Sequence, residues 1–457
     1  LELIIIVGDF FRVLLEEIVL SFLKKHIDPS KPILLGLSGG ADSLCLLHLL
    51  IRVKSKIPFS LHIAHIDHGW RFESEMEAEF LREEAAKLSL PFHLKRLDPK
   101  NLSGNLENAC REERLKFFKE ICYQENCQAV LLAHHADDQS ETVLKRIFEG
   151  ASLPNLSGLR NIQSIYGINL WRPLLSITKK EIQEWLELNS LTYFDDSTNR
   201  DPKYLRARLR DQVIPKLSEQ FGKKISSTLW RIGLEAQELH SYLDEKVKFI
   251  LQKQCNSSLG TYLDLTGHQL HKVEVTHLIR KLCLSENLTM SSDTINALCK
   301  LICEGSGNKQ IIAGDKIVFV DRRRIFFVNP LEEIQKSNCP LIIGKFEFGN
   351  WEVNVESINI EKKEKVSTWC DAWNGSCSVI LPHGNYELGY PTINAPYAKR
   401  GKINKWWSDH KIPFFLRKQI PVIWENGTIS HEFLTGKIAY NTENQGFKVA
   451  LYHKQCK

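Results

Sequence analysis

At 457 residues with 43% apolar content, the chain is too long for one ordinary hydrophobic core and predicts about two to four domains. Charged residues make up 25% and the formal net charge is +5, the balance of a globular protein that admits a nucleic-acid partner without demanding one. The twelve cysteines are scattered and no C-x-x-C occurs, so a disulfide scaffold is not expected, and reduced thiols suit a cytoplasmic protein.

The first stretch, LELIIIVGDFFRVLLEEIVLSFLKKH, is interrupted by Asp9, Arg12, Glu16 and Glu17. Its apolar residues recur at helical spacing, which predicts an amphipathic helix rather than a leader or a membrane span. From about residue 32 to 190, short apolar runs alternate with helical patterns. PILLGL precedes a helix from Asp42, SLHIAHI precedes ESEMEAEFLREEAAKL, PFHLKRL precedes NLENACREERLKFFKEICYQ, and QAVLLAHH precedes ADDQSETVLKRIFEG. Such alternation predicts an α/β, doubly wound parallel sheet whose ligands bind at the carboxyl ends of the strands. Residues 204 to 308 read as mostly helical, 309 to 330 as strands separated by turns, and the remainder as a small β-rich terminal domain. The expected boundaries are 1–215, 216–335 and 336–457. Cys299 and Cys303 are spaced i,i+4 with no third ligand nearby in sequence.

Residues with chemical potential follow the predicted strands. In LSGGADS, two glycines permit close approach of a ligand, a helix N-terminus favours an anion, and Ser38 and Ser43 add hydroxyls. Phosphate is the natural guest of Ser38, Gly39, Gly40, Ala41 and Ser43. Asp42 then needs a reason, either Mg²⁺ between carboxylate and phosphates or a helix cap. The G-K-[ST] ending of a Walker A loop is absent. HIDHGWR, with His65, could line a nucleotide pocket or be a plain loop. In AHHADDQSETVLKR, Asp138 and Glu141 share a helix face and suit an ammonium group, a metal or a proton, although helix-dipole stabilisation alone would also account for acids there. Arg111 and Arg114 lie i,i+3, able to clamp phosphates or to form surface ion pairs. Lys203, Arg206, Arg208 and Arg210, beside Tyr204, form a basic run that suits a phosphate backbone or a solvated face.

Together these pieces, in this order, resemble the tRNA(Ile)-lysidine synthases, a family of N-type ATP pyrophosphatases. The resemblance runs through S-G-G-x-D-S at 38–43, H-x-x-H-G-x-R at 65–71, E-x-x-x-R-x-x-R at 107–114 and H-x-x-x-D-x-x-E-T at 134–142. It continues through GL at 158–159, RPLL at 172–175, and D-x-x-N with Y-x-R-x-R-x-R from 196 to 215. KINKWWSDHKIPFFLRKQIPVI, from Lys402, is similar to that family's C-terminal domain. The resemblance implies a PP-loop ATPase domain, a mainly helical middle domain and a β-rich C-terminal domain. It implies a ligase that adenylates C2 of the wobble cytidine of an isoleucine tRNA with a CAU anticodon, and then substitutes free L-lysine with release of AMP and PPi.

Carried over residue by residue, it places ATP at Ser38 to Ser43 and His65, and Mg²⁺ at Asp42. Lysine falls at Asp138 and Glu141, catalysis at Asp42, Arg111, Asp138 and Glu141, and tRNA contacts at Arg114, Lys203, Arg206, Arg208 and Arg210. A homodimer without membrane attachment is also expected. Trp70, Cys110, Leu115, Glu149 and Ala207 depart from the usual pattern, and Glu149 puts a phosphate contact at that point in doubt. The rival expectations are a PP-loop tRNA thiolase, which needs catalytic cysteines or an iron–sulfur cluster, an amide-forming small-molecule ligase, and a non-catalytic tRNA-binding protein.

Overall fold

The computed structural model describes residues 2–69, 73–98, 106–193, 203–314, 316–329, 337–359, 367–392, 394–398, 400–437 and 445–454. Trp70, Arg71, Asp196 and Asn199, which the motifs include, lie outside them, as does the lysine-rich stretch 361–366. The chain divides into two compact units, Leu1–Ser241 and Tyr242–Lys457. No helix among the described residues is long and apolar enough to cross a membrane.

The first unit begins with α1 (Glu2–His26), β1 (Ile33–Gly36), α2 (Ala41–Lys54), β2 (Leu61–Asp67) and α3 (Glu73–Lys87). It continues with β3 (Phe92–Arg96), α4 (Leu106–Gln124), β4 (Ala129–Leu131) and α5 (Ala136–Phe148). A hairpin of β5 (Ile162–Ile165) and β6 (Ile168–Trp171) precedes α6 (Lys179–Leu188). The sheet order is β3-β2-β1-β4-β6-β5. Every neighbouring pair is parallel except β5 with β6. The apolar runs are continuous because β1 and β4 are covered on both faces. On one side Leu15, Val19 and Leu23 of α1, Leu46 and Leu50 of α2 and Trp185 of α6 pack over Ile33 and Leu35. On the other, Phe118 and Ile121 of α4 cover Leu34 and Val130. Cys110 and Leu115, two of the departures from the family pattern, belong to that second core.

The chain order reverses between β1 and β4, because β2 and β3 lie to one side and β6 to the other. A crevice forms outside the carboxyl ends of strands at such a switch point. The two loops that flank it are those the sequence singles out, Leu37–Gly40 after β1 and Leu132–His135 after β4. After α6 the unit continues with α7 (Leu205–Arg208), a π-helical turn at Leu209–Val213, α8 (Ile214–Phe221) and the first part of α9 (Ile225–Leu251), whose residues from Tyr242 onward belong to the second unit. Val143 and Leu144 of α5 form a small apolar cluster with Leu209 and Leu229, which ties the π-helical turn to α5.

The second unit opens with β7 (Cys255–Ser257), β8 (Gly260–Asp264), α10 (Lys272–Ser285) and α11 (Ser292–Cys303). β9 (Lys309–Ala313), β10 (Lys316–Asp321) and β11 (Arg324–Val328) follow. The five strands make one antiparallel sheet against which the two helices pack. The helices match the expectation for this region, and the strands at 309–328 match the alternation there. The β7–β8 hairpin departs from it, since Gly260 (φ +132°) opens a strand inside a stretch that reads as helical. Residues 339 to 453 hold two four-stranded antiparallel sheets, the β-rich end that the sequence predicts. There Trp407 is a core residue whose indole donates to Glu432 Oε2 at 3.0 Å. Trp406 is half-buried, with the guanidinium of Arg400 4.4 Å from its ring centre. Arg417 is buried and donates to the carbonyl of Ile412, so it braces the fold instead of facing a ligand.

Candidate functional site

The loop after β1 is organised by its own serines. Ser43 Oγ donates to the Gly40 carbonyl at 3.0 Å and accepts from the Ser38 amide at 3.2 Å, with the Ser38 hydroxyl 3.1 Å away. Gly39 adopts φ +85°, a conformation that excludes ordinary side chains. Gly40 caps α2 with no side-chain hydrogen bond, so the helix N-terminus, with its partial positive charge, is presented to the crevice. His65, buried at the end of β2, donates from Nδ1 to the Leu37 carbonyl at 2.8 Å. Burial lowers its pKa despite that bond. A neutral imidazole therefore pins the residue that opens the loop.

Asp42 is engaged by groups outside the loop. Its Oδ1 accepts from Lys179 Nζ at 2.6 Å, and its Oδ2 lies 3.7 Å from His135 Nε2. Lys179, the first residue of α6, is 137 positions distant. It is held by two backbone bonds between α5 and α6. The Lys179 amide donates to Asp137 Oδ2 at 2.7 Å, and the Ala136 amide to the Ile177 carbonyl at 2.7 Å. The lysine that the loop motif lacks thus arrives from another helix. Sequence inspection misses it because KKE at a helix start is unremarkable, and only the capping box Thr178–Glu181 marks the position.

Asp138 and Glu141 come together as their i,i+3 spacing predicts, and a third group joins them. Arg210 Nε donates to Glu141 Oε1 at 2.6 Å, and its Nη2 to Asp138 Oδ1 at 3.3 Å. Asp138 Oδ2 accepts from the His135 amide at 3.0 Å and so also caps α5. Glu141 Oε2 is buried with no hydrogen-bond partner among the described residues. Arg210 therefore does not share the exposed basic face expected of it. The π-helical turn inserts a residue into the helical register and rotates Arg210 toward α5. Lys203, Arg206 and Arg208 do lie exposed, with Lys203 Nζ 5.0 Å from the Tyr204 ring centre. Ala207 is buried among them, a place where a small side chain packs. Glu149 is exposed at the end of α5, 3.7 Å from Lys145.

Charge balance in the crevice is set by burial. Desolvation alone would lower the His135 pKa, but Asp137, Asp138 and Asp42 surround the ring and raise it overall. Desolvation likewise opposes ionisation of Asp138, yet His135, the amide it accepts and Arg210 hold its carboxyl below the usual range. Burial raises the Glu141 carboxyl, and Arg210 offsets only part of that. His134 is pushed down to about 3, first by burial and then by Arg172, Arg114 and Arg206. Its Nδ1 accepts from Arg172 Nε at 3.1 Å.

Arg172 is itself buried and lowered to about 10 by desolvation and by Arg111 and Arg114. These arginines of α4 and β6 thus share one field beside His134. Arg111 is exposed and also lines a groove of about 290 Å³ with Leu115, Ile165 and Tyr166. Arg172 is a further residue that sequence reasoning quotes only as part of a motif.

The His134 shift has a pH signature. Below about pH 6.5 the unfolded imidazole takes up a proton that the folded one refuses, so stability falls as pH drops toward 3. Denaturant midpoints measured across this range are expected to fall more steeply for the parent than for His134→Gln, which keeps an acceptor for Arg172. Equal slopes would show that His134 does not titrate in this way. His135 acts in the other window, where its contribution is lost as pH rises above about 6.5 through its raised folded pKa.

Gln139 anchors the far side of α5. Its amide nitrogen donates to the Ser157 carbonyl at 2.9 Å, and its oxygen accepts from the Leu159 amide at 2.6 Å. Gly158 between them has φ +61°, and a Cβ there would lie 2.3 Å from Gln139 Oε1. Gly158→Ala is expected to cost about 2–4 kcal/mol, read as a lowered denaturation midpoint. A change under about 0.5 kcal/mol would contradict this account of the GL pair.

Residues 14–217 match the family ATP_bind_3, a PP-loop domain. The tRNA(Ile)-lysidine synthase of Protochlamydia amoebophila (strain UWE25) is 38% identical over 418 residues, covering 91% of this chain and 91% of that protein. The synthase of Chlamydia muridarum (strain MoPn / Nigg) is 39% identical over 257 residues, 56% of this chain and 79% of its own. That of Chlamydia trachomatis serovar D is 36% identical over 287 residues, 61% of this chain and 87% of its own.

Proposed function

The chain belongs to the tRNA(Ile)-lysidine synthase family and is an ATP-dependent tRNA-modifying ligase, and we propose that the substrate it joins to the wobble cytidine is free L-lysine, in the cytoplasm. The observation that carries this reading is the pair Asp138 and Glu141, 12% and 3% exposed, neutralised by the side chain of Arg210. Two buried carboxylates facing one cation form a site for an ammonium group.

In the first step the C2 carbonyl oxygen of the cytidine attacks the α-phosphorus of ATP and pyrophosphate leaves. The α2 N-terminus and the amides of Gly39 to Ser43 face the departing phosphates, and Arg111 with Arg172 supplies positive charge that costs no reorganisation during reaction. Lys179 and His135 stand on either side of Asp42 and keep that carboxylate from repelling the nucleotide. The donor set fits Mg²⁺ through Asp42 Oδ2, which has only His135 Nε2 at 3.7 Å, while Oδ1 stays with Lys179. Asp42 would hold the ion, which when bound neutralises phosphate charge.

In the second step the ε-amine of lysine attacks C2 and AMP leaves. The incoming ammonium takes the place of the Arg210 guanidinium on Asp138 and Glu141. It must lose a proton before attack. Glu141, whose pKa burial raises, is the acceptor assigned here, with Asp138 as the fixed counter-charge. Lys203, Arg206, Arg208 and Arg114 serve the phosphate backbone of the anticodon arm.

The thiolase reading finds little support in the cysteines of this unit. Cys45, Cys110 and Cys122 are buried on α2 and α4; burial raises the first two thiols, and the hydrogen bond with Cys127 together with burial raises Cys122. Cys127, lowered by that bond, precedes β4 and so lies at the sheet end opposite the crevice. Stoichiometry tests the two-step scheme. One AMP and one PPi released per lysine incorporated agrees with it, whereas ADP and phosphate as products would exclude it.

A further inference from the structure

The first unit carries a second cluster of ligating side chains, at the end of the sheet opposite the crevice. His62 is the second residue of β2, His93 the second of β3, and Glu125 follows the last residue of α4. One ligand atom from each lies within 4.8 Å of the others. His62 Nδ1 and His93 Nε2 are 3.2 Å apart, one ring N–H donating to the other nitrogen. Nitrogens bound to one tetrahedral zinc ion at about 2.0–2.1 Å are separated by about 3.3 Å, so an ion can replace the shared proton by turning the rings with little change in that spacing.

The three residues are placed by rigid backbone. Ala64 pairs with His93 across the parallel ladder, so His62 and His93 are diagonal neighbours on one face of the sheet. α4 ends with Asn126 at φ +53° and the Cys127 amide bonded to the Cys122 carbonyl at 3.0 Å. That is the left-handed helix stop, and it aims Glu125 at the strand ends. Gln128 then fixes the following turn through bonds to Asp28 and Lys31. Glu125 is exposed, and no lysine or arginine pairs with it among the described residues. Burial lowers the His62 pKa, and Glu125 acts against it.

We infer that His62, His93 and Glu125 bind a divalent transition metal ion of the zinc class, with solvent or another ligand completing the shell. Two imidazoles and one carboxylate suit zinc, whereas Mg²⁺ prefers oxygen donors throughout. The ion would clip β3, an edge strand, to β2 and to the end of α4. It lies apart from the phosphate loop and takes no part in adenylation, so it is a structural site independent of the Mg²⁺ assigned to Asp42.

The test uses the full chain, stripped with a chelator and dialysed. Zn²⁺ is titrated in competition with a chromophoric chelator, and thermal midpoints are read with and without Zn²⁺. The expected result is one tight equivalent per chain and a raised midpoint. Glu125→Gln, at an exposed position, should weaken that equivalent at least about tenfold, and His62→Asn with His93→Asn should remove it together with the thermal shift. Absence of a tight equivalent in the parent overturns the proposal. So does an equivalent that both variants retain unchanged, which would place the metal on cysteines elsewhere. Should the double variant fail to fold by circular dichroism, Glu125→Gln alone decides.

Discussion

Replacing Asp138 with Asn is expected to leave tRNA-dependent ATP–PPi exchange within about threefold of the parent while lowering lysine transfer by at least about a hundredfold. The asparagine oxygen can still accept from the His135 amide, as Asp138 Oδ2 does at 3.0 Å, so the cap of α5 and the position of Glu141 survive. What disappears is one of two negative charges that balance Arg210 and, in the proposed second step, the lysine ammonium. Phosphate binding does not pass through Asp138, because the loop and Lys179 are held by other contacts. The split between the two half-reactions is therefore the informative quantity. Equal loss of both would dissolve the division of roles, and undiminished transfer would remove Asp138 from the lysine site.

Lys179→Met is expected to do the reverse, lowering ATP–PPi exchange by about a hundredfold with the Michaelis constant for lysine little changed. Methionine keeps most of the stem and removes only the charge. Asp42 would then face the phosphate loop with His135 as its remaining cation, at 3.7 Å. Lys179 is half-exposed at the first turn of α6, and its amide bond to Asp137 does not depend on the side chain, so the fold is retained. Exchange at the parent rate would show that Lys179 is an idle surface ion pair, the ordinary fate of such contacts.

Much of the first unit was legible because it depends on local patterns. Four apolar runs with helical stretches between them predict a parallel sheet, and the loops at its carboxyl end hold the motif residues. Asp138 and Glu141 fall on one face because helical periodicity demands it. Three features escaped for a common reason, namely that each rests on contacts between residues far apart in sequence. Lys179 meets Asp42 across 137 positions. Arg172 becomes a site residue only because β6 lies beside β4. Arg210 reads as one more cation in a basic run until the π-helical turn, which no periodicity announces, rotates it onto α5. The β7–β8 hairpin was hidden by the helices on either side of it.

The basic run also shows what spacing alone cannot decide. Lys203, Arg206, Arg208 and Arg210 are alike in composition, yet three face solvent and one neutralises buried carboxylates. A charge run and an ion-pair partner have the same sequence signature, and only the packing of Leu209 against Val143 and Leu144 separates them.

Labelled L-lysine, ATP, Mg²⁺ and an isoleucine tRNA carrying the CAU anticodon, incubated with the full chain, are expected to give label in the tRNA, confined to the wobble position and lost when ATP is omitted. Unlabelled tRNA under these conditions, or label entering only from a sulfur donor offered in place of lysine, would contradict the proposed function.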